Sequence, residues 1–279
     1  MINKFLSLLL FILTISACSG KDNNLTKSNL KGKVYRLTET RYSAKEKFGE
    51  IIKDTLEAEE VLTFNEQGYL VEKLEKGFGR FENRKEIFEY NKDSQVSKKT
   101  AFDKNVKIIQ TYLFDYDKNK KLVRWQNIDA NKKILQYETY KYDQKGLLIE
   151  SISYNEDGSV LSKSMFTNED HGNCIEKNFY DGNTTTETHK LKYNQQNQVT
   201  QNEMFMYGST IGKTVYKYHN GELSDEISYP STFSKDTTTW KYEYIDIDKQ
   251  GNWLTKTLRW TQGYRFATGM TERKIDYFK

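Results

Sequence analysis

Tyr140-Lys141-Tyr142-Asp143-Gln144-Lys145-Gly146-Leu147-Leu148 is the stretch that decides the fold. Tyr140 and Tyr142 share one face of an extended segment and Lys141 takes the other, the period-two alternation of a half-buried strand. Asp143 has a short side chain that accepts from backbone two residues on and so starts a turn. Gly146, fourth in that turn, adopts a positive φ at little cost. A turn of this kind reverses the chain into a hairpin.

The unit recurs. Looser copies begin at Phe64, Tyr90, Phe102, Tyr116, Ile128, Tyr154, Tyr180, Tyr193 and Ile247. One series, Tyr90, Tyr116, Tyr142, Thr167, Tyr193 and Tyr218, advances by 25 or 26 residues. A second, Phe102, Ile128, Tyr154, Tyr180 and Met206, advances by 26. Interleaved, they place a turn every 11 to 14 residues, which is repeat architecture. Gly68, Gly146, Gly158 and Gly251 fill the fourth turn position, and Ser94, Lys120, Lys132 and Asn197 substitute for glycine. Val106 is β-branched and strained in that conformation, so a different loop is expected there. Phe88-Glu89-Tyr90, Phe114-Asp115-Tyr116, Tyr216-Lys217-Tyr218 and Tyr242-Glu243-Tyr244 repeat the aromatic-charge-aromatic strand pattern.

Short loops join antiparallel neighbours, so strand follows strand as a meander. From about residue 60 onward this predicts roughly sixteen strands. Sheets twist, and one that wide would leave its aromatic face wet if flat. The expected fold is therefore all-β: an antiparallel meander of repeated β-hairpins curled into a spiral, a wide barrel or a sandwich-like sheet. A single proline, Pro230, suits a continuous ladder. The charged stretch from Ser43 to Glu60 reads as a short helix or a long hairpin connection. A mean hydropathy of −0.84 and lysine and glutamate on the outward face argue against a lipid-embedded barrel.

The unit at Tyr140 to Leu148 resembles the YD repeat of RHS proteins, whose signature is Tyr-x-Tyr-Asp-x-x-Gly-Arg-Leu. That resemblance implies a spiralling β-sheet shell, which in long members encloses a toxin domain. This chain differs in having no arginine after the glycine and in its 26-residue period with a half-repeat.

The N-terminus reads as an address. Lys4 precedes an almost wholly apolar run from Phe5 to Ile15, too short to span a bilayer, which takes about 20 residues. Ile15-Ser16-Ala17-Cys18 resembles the lipobox of bacterial lipoproteins. The resemblance implies a signal peptide over residues 1–17 and a diacylglyceryl thioether on Cys18. Ser19 is not an aspartate retention signal, which implies the outer membrane of the cell envelope, with the leaflet open. The polar residues 18–32 read as a flexible tether, and 33–279 as one repetitive β domain.

With Cys18 acylated, Cys174 has no partner for an intrachain disulfide. Removing Lys4 with the signal leaves 42 basic and 39 acidic side chains, 43 less one against 39, scattered rather than clustered. That pattern gives nucleic-acid binding no support. His171 and Cys174 have ligand-like spacing, but a structural zinc takes four ligands, and a lone buried thiol is the simpler reading. Asp246-Ile247-Asp248-Lys249-Gln250-Gly251 imitates a calcium loop, yet position five is Gln250 and position twelve is Thr257, so a hairpin turn is expected. Gly208-Ser209-Thr210-Ile211-Gly212 is not in nucleophile-elbow order and reads as a loop. Trp125, Trp240, Trp253 and Trp260 read first as core and cross-strand pairs, and second as platforms for a sugar or a peptide partner.

No catalytic, cofactor-binding or metal residues are expected. The function predicted is a non-catalytic, lipid-anchored envelope protein presenting a repetitive β surface to a protein or glycan, with the membrane engaged through Cys18. The alternatives are an immunity or accessory factor for an RHS-like secreted toxin and an envelope glycan hydrolase.

Overall fold

The structure is a computed structural model, and it describes residues 23–77, 83–232 and 234–279. Residues 1–17, read above as a signal peptide, and Cys18 lie outside the described residues. One helical turn, α1 (Asn24–Lys27), precedes eighteen strands. The first six are β1 (Val34–Lys47), β2 (Glu50–Phe64), β3 (Leu70–Gly77), β4 (Arg84–Tyr90), β5 (Val96–Phe102) and β6 (Ile108–Tyr116). Then come β7 (Leu122–Ile128), β8 (Ile134–Tyr142), β9 (Leu148–Asn155), β10 (Val160–Asn168), β11 (Cys174–Asp181) and β12 (Thr184–Tyr193). The last six are β13 (Val199–Met206), β14 (Ser209–His219), β15 (Glu222–Ser228), β16 (Thr238–Ile247), β17 (Trp253–Gln262) and β18 (Arg265–Tyr277).

Each strand pairs antiparallel with the next, and β1 also pairs antiparallel with β18, from Val34↔Tyr277 to Ala44↔Thr268. The meander is therefore a closed barrel. Eighteen strands at ~4.8 Å spacing give a perimeter of roughly 85 Å or more. A ring that wide cannot be filled by side chains from its own wall. Most strand residues are accordingly half-buried on both faces, and among the described residues the hydrophobic core cluster sits at one end of the barrel.

Loops following even-numbered strands gather at one mouth, and those following odd-numbered strands at the other. The turn recurs at both mouths, and the tyrosine series Tyr90, Tyr116, Tyr142, Tyr193 and Tyr218 sits at the first. In the β6–β7 loop Asp117 Oδ1 accepts from the N–H groups of Asn119 at 2.9 Å and Lys121 at 2.8 Å. The Lys120 N–H closes the turn on the Asp117 carbonyl at 2.9 Å. The register slips by one residue between Asp115 and Tyr116, which swings Tyr116 over the neighbouring hairpin. Its hydroxyl donates to the carbonyl of Val96, the first residue of β5, at 2.8 Å.

This bond explains the tyrosine of the repeat. Tyr90 donates to Leu70, Tyr142 to Leu122, Tyr193 to Cys174, Tyr218 to Val199 and Tyr244 to Leu223, at 2.7 to 3.0 Å. In the copy that the sequence aligns at Thr167, the residue in this slot is Asn168, whose amide donates to the Leu148 carbonyl at 2.8 Å. Each bond satisfies a carbonyl where the ladder gives way to the loop. Burial pushes the phenols of Tyr116, Tyr142, Tyr193 and Tyr244 up to about 12.

Three local expectations are corrected, and one is decided between its two alternatives. Val106 does not change its loop: it closes the same turn onto Asp103 at 3.0 Å, with φ at +63°. Its side chain stays exposed, so the left-handed conformation is not imposed by packing. Of the two readings of residues 43–60, the hairpin is the one found: they run as the extended ends of β1 and β2 around Phe48-Gly49, both at positive φ, and form no helix. Ser209 to Gly212 are not a loop, because Tyr207 and Gly208 turn the chain in two residues and β14 begins at once.

The fourth concerns the tether. From Asn23 onward the chain is packed rather than flexible, because two leucines in the polar stretch find an apolar floor. Asn23 caps α1 by accepting from the Thr26 N–H at 3.0 Å. Leu25 and Leu30 are buried with Val34, Leu37 and Phe64, against Leu62, Leu70, Ile275 and Tyr277. This segment crosses the first mouth on the inner face of the strands. It bonds the β2–β3 loop through Leu25 N–H to the Gly68 carbonyl at 3.3 Å and the β16–β17 loop through Lys31 N–H to Asn252 Oδ1 at 2.8 Å.

Candidate functional site: the concave wall

Register assigns every strand residue to one of two faces. One face carries Leu37, Glu39, Glu60, Lys73, Glu86, Lys99, Tyr112, Trp125, Glu138 and, further round, Tyr216, Glu226, Trp240, Trp260 and Arg273. The N-terminal segment packs on this face, and its ion pairs are the drier ones. Arg273 and Glu39 side chains are 11% and 25% exposed, against 41% and 52% for Lys98 and Glu89 on the opposite face. It is therefore the concave face. The convex face carries ion pairs such as Lys98 with Glu89, Lys85 with Glu72 and Lys141 with Glu150. A charge facing lipid at mid-depth costs about 2–4 kcal/mol, so these ion-paired positions are suited to water rather than to a bilayer.

Most concave acids are already engaged. Glu60 and Glu75 share Lys73 at 3.2 and 2.8 Å, and Glu86 takes Arg84 and Lys99 at 3.0 and 3.1 Å. Glu39 receives Arg273 Nε at 2.7 Å, and the Arg273 guanidinium lies 3.4 Å from the centre of the Trp253 ring. Glu138 accepts from Trp125 Nε1 at 2.9 Å and from the Tyr140 hydroxyl at 3.0 Å. Burial, with the Glu138 charge adding to it, drives the Tyr140 phenol well above its usual range. His189 is bonded at both ring nitrogens, Nε2 2.5 Å from Glu187 Oε1 and Nδ1 3.1 Å from Asn202 Oδ1. A histidine held at both ends has no free nitrogen to offer a metal or a substrate.

The sector from β14 to β18 differs. Across it runs a cross-strand row: Tyr216 opposite Glu226, Glu226 opposite Trp240, Trp240 opposite Trp260, and Trp260 opposite Ala267. Among the concave acids named here, Glu226 is the one with no hydrogen-bond or ion-pair partner among the described residues. Burial beside these aromatic rings raises its carboxyl above the usual range.

The residues singled out in the sequence fall apart spatially. Cys174 is half-buried at the start of β11, its Sγ donating to the Glu176 carbonyl at 3.3 Å, and burial raises its pKa. His171 lies in the β10–β11 loop on a shallow cleft with Glu169 and Asn194. No group of three or more His, Cys, Asp or Glu able to hold a metal occurs among the described residues. Asp248 spends its carboxylate on the turn, accepting from the Gln250 and Asn252 N–H groups at 2.9 Å and from the Tyr277 hydroxyl. Asp246 accepts from Thr255 Oγ1 at 3.0 Å. Trp253 is buried and serves packing, whereas Trp125, Trp240 and Trp260 are half-buried on the concave wall. The special standing of Glu226 had no signal in the sequence, since it depends on strands brought side by side.

No protein-family model matches this chain, and no curated protein matches it. Among solved structures, a porin-like protein from Bacteroides uniformis is similar over 88% of this chain and 99% of its own, at 9% identity and a TM-score of 0.49. A TcdB2-TccC3 structure is similar over 83% of this chain, at 13% identity and a TM-score of 0.33. The Photorhabdus luminescens Tc holotoxin pore is similar over 87%, at 9% identity and a TM-score of 0.20. This chain spans only 15% and 17% of those two toxin chains.

Proposed function

We propose that the protein is a non-catalytic, lipid-anchored shell of the bacterial cell envelope that binds a protein or glycan on its concave wall. The observation that supports this reading most is the wall itself. Closure of eighteen strands leaves half-buried aromatic and polar rows lining a space too wide to be packed as core. Its titratable groups are largely committed to one another, as binding surfaces and structural walls are, rather than poised around one reacting atom.

The N-terminal segment gives the shell an orientation in this reading. Asn23 lies five Cα steps beyond Cys18, a reach of at most ~18 Å. A lipid on Cys18 would hold the first mouth, where Asn23 docks, against the membrane. The second mouth then faces away from it, towards the ligand.

Full-length protein in detergent micelles, presented to an array of envelope glycans and purified envelope proteins, tests the reading. Saturable binding of one of them is the expected result. Absence of saturable binding across both sets, with the barrel intact by circular dichroism, contradicts it.

A further inference from the structure

We infer that the concave patch formed by Tyr216, Glu226, Trp240 and Trp260, which reaches the second mouth at its two tryptophans, is a binding site for a neutral, hydroxyl-rich oligosaccharide. This rests on the binding-shell reading and names its ligand class.

Three observations carry it. The first is chemical composition in a row. Cross-strand neighbours lie about 5 Å apart and adjacent strands about 4.8 Å, so the row from Tyr216 to Trp260 spans roughly 14 Å. Two tryptophans and a tyrosine offer broad apolar faces with a polar edge, which suit the C–H faces of sugar rings. A carboxylate between them accepts hydroxyl hydrogens, and charge-assisted hydrogen bonds of that kind are the stronger ones. The length fits a short oligosaccharide better than a single sugar.

The second observation is the state of Glu226. It has no partner among the described residues, its neighbours across both strands are aromatic, and the residue is half-buried rather than sealed. Leaving a partly dried carboxylate unpaired costs stability, and a ligand donating hydroxyls would restore what burial removed. A second carboxylate on the ligand would meet like charge, so acidic sugars are disfavoured.

The third is access. Trp240 is the third residue of β16 and Trp260 the third from the end of β17, both close to the second mouth. The floor beyond Trp260 is low: its partner is Ala267, and the partner of Leu258 is Gly269. The loops above this sector carry exposed aromatics, Tyr207, Tyr229 and Tyr264, the last 92% exposed. The N-terminal segment docks at the other mouth, on the β2–β3 and β16–β17 loops.

The test is titration of the full chain in micelles with a panel of neutral hexose and N-acetylhexosamine oligomers and of uronic-acid oligomers, read by calorimetry and tryptophan fluorescence. A neutral oligomer is expected to bind. Trp240→Ala and Trp260→Ala should each weaken it about tenfold, the scale of one lost stacking contact. Glu226→Gln, nearly isosteric and so safe for folding, should weaken it by a similar factor. Lys98→Ala on the convex face should leave affinity unchanged. The assignment is overturned if neutral oligomers bind equally well to all three site variants, if only uronic-acid oligomers bind, or if no oligosaccharide binds. Binding of an envelope protein to the wild-type shell in that last case would leave the broader reading standing and remove only the glycan site.

Discussion

Asn252 holds Lys31 as one peptide group holds another. Its Oδ1 accepts from the Lys31 N–H at 2.8 Å, and its Nδ2 donates to the Lys31 carbonyl at 2.9 Å. The two residues stand 221 apart in the chain, and Asn252 is only 3% exposed. The Asn252 amide also reaches the Tyr277 hydroxyl at 2.8 Å. One side chain thus joins the segment before the first strand, the last strand and the β16–β17 loop.

Asn252→Ala removes both bonds and strands a part-buried N–H and carbonyl on Lys31. A loss of about 2–4 kcal/mol is expected, since each unsatisfied buried group costs about 1–3 kcal/mol. Urea unfolding measures the loss, and amide exchange at Lys31 should become fast in the variant. Unchanged exchange would show that the segment is held by Leu25 and Leu30 alone.

Tyr142→Phe isolates one rung of the tyrosine ladder. At neutral pH the variant should be less stable by about 1 kcal/mol, the net worth of one hydrogen bond. The folded phenol sits at about 12 and the free one at about 10. The neutral form is therefore favoured by folding, and wild-type stability is lost as pH rises from 10 towards 12. Phenylalanine does not titrate, so the gap should close by about pH 11. Denaturant midpoints at pH 7, 10 and 11 test the trend, and a gap that widens with pH contradicts it.

Val106→Gly should stabilise the protein by about 1 kcal/mol, because φ at +63° is costly for a β-branched residue and free for glycine. The side chain is 71% exposed, so little packing is lost. A thermal melt showing destabilisation would mean that the Val106 side chain makes a contact worth more than its strain.

Glu226→Gln should raise stability in the absence of ligand. Burial raises the Glu226 carboxyl in the fold, so the folded state holds its proton longer than the unfolded chain does. Stability is then complete below the unfolded pKa and falls as pH rises through the folded one. The stabilisation by glutamine should accordingly be present at pH 7 and shrink at pH 4. Equal effects at both pH values would argue that the carboxylate is not dried by its neighbours.

The strands and loops were legible because their causes are local. Asp143 and Gly146 act on the few residues around them, and the same acceptor pattern returns at Asp103, Asp117, Asp129 and Asn194. The tyrosine was legible as a repeat but not as a donor, because Leu122 lies twenty residues away on another strand. Asn168 was misaligned because an amide performs the phenol's task with a different side chain. Closure had no local signal at all, since Val34 and Tyr277 meet only after the whole meander has turned. The packing of residues 23–33 had a faint one, two leucines in an otherwise polar run. Nothing in the sequence marks Glu226 among 39 acids until its neighbours across two strands are known.

Closure of β1 on β18 makes the concave wall, and one cross-link tests it. Thr38 and Lys274 are direct partners on the convex face across that seam. Cβ atoms of such pairs lie about 4.5–5.5 Å apart, close enough for a disulfide. Thr38→Cys with Lys274→Cys, in a Cys174→Ser background, should form an intrachain disulfide on mild oxidation, seen as one cross-linked peptide by mass spectrometry. Two free thiols in the folded, oxidised protein would contradict a closed barrel.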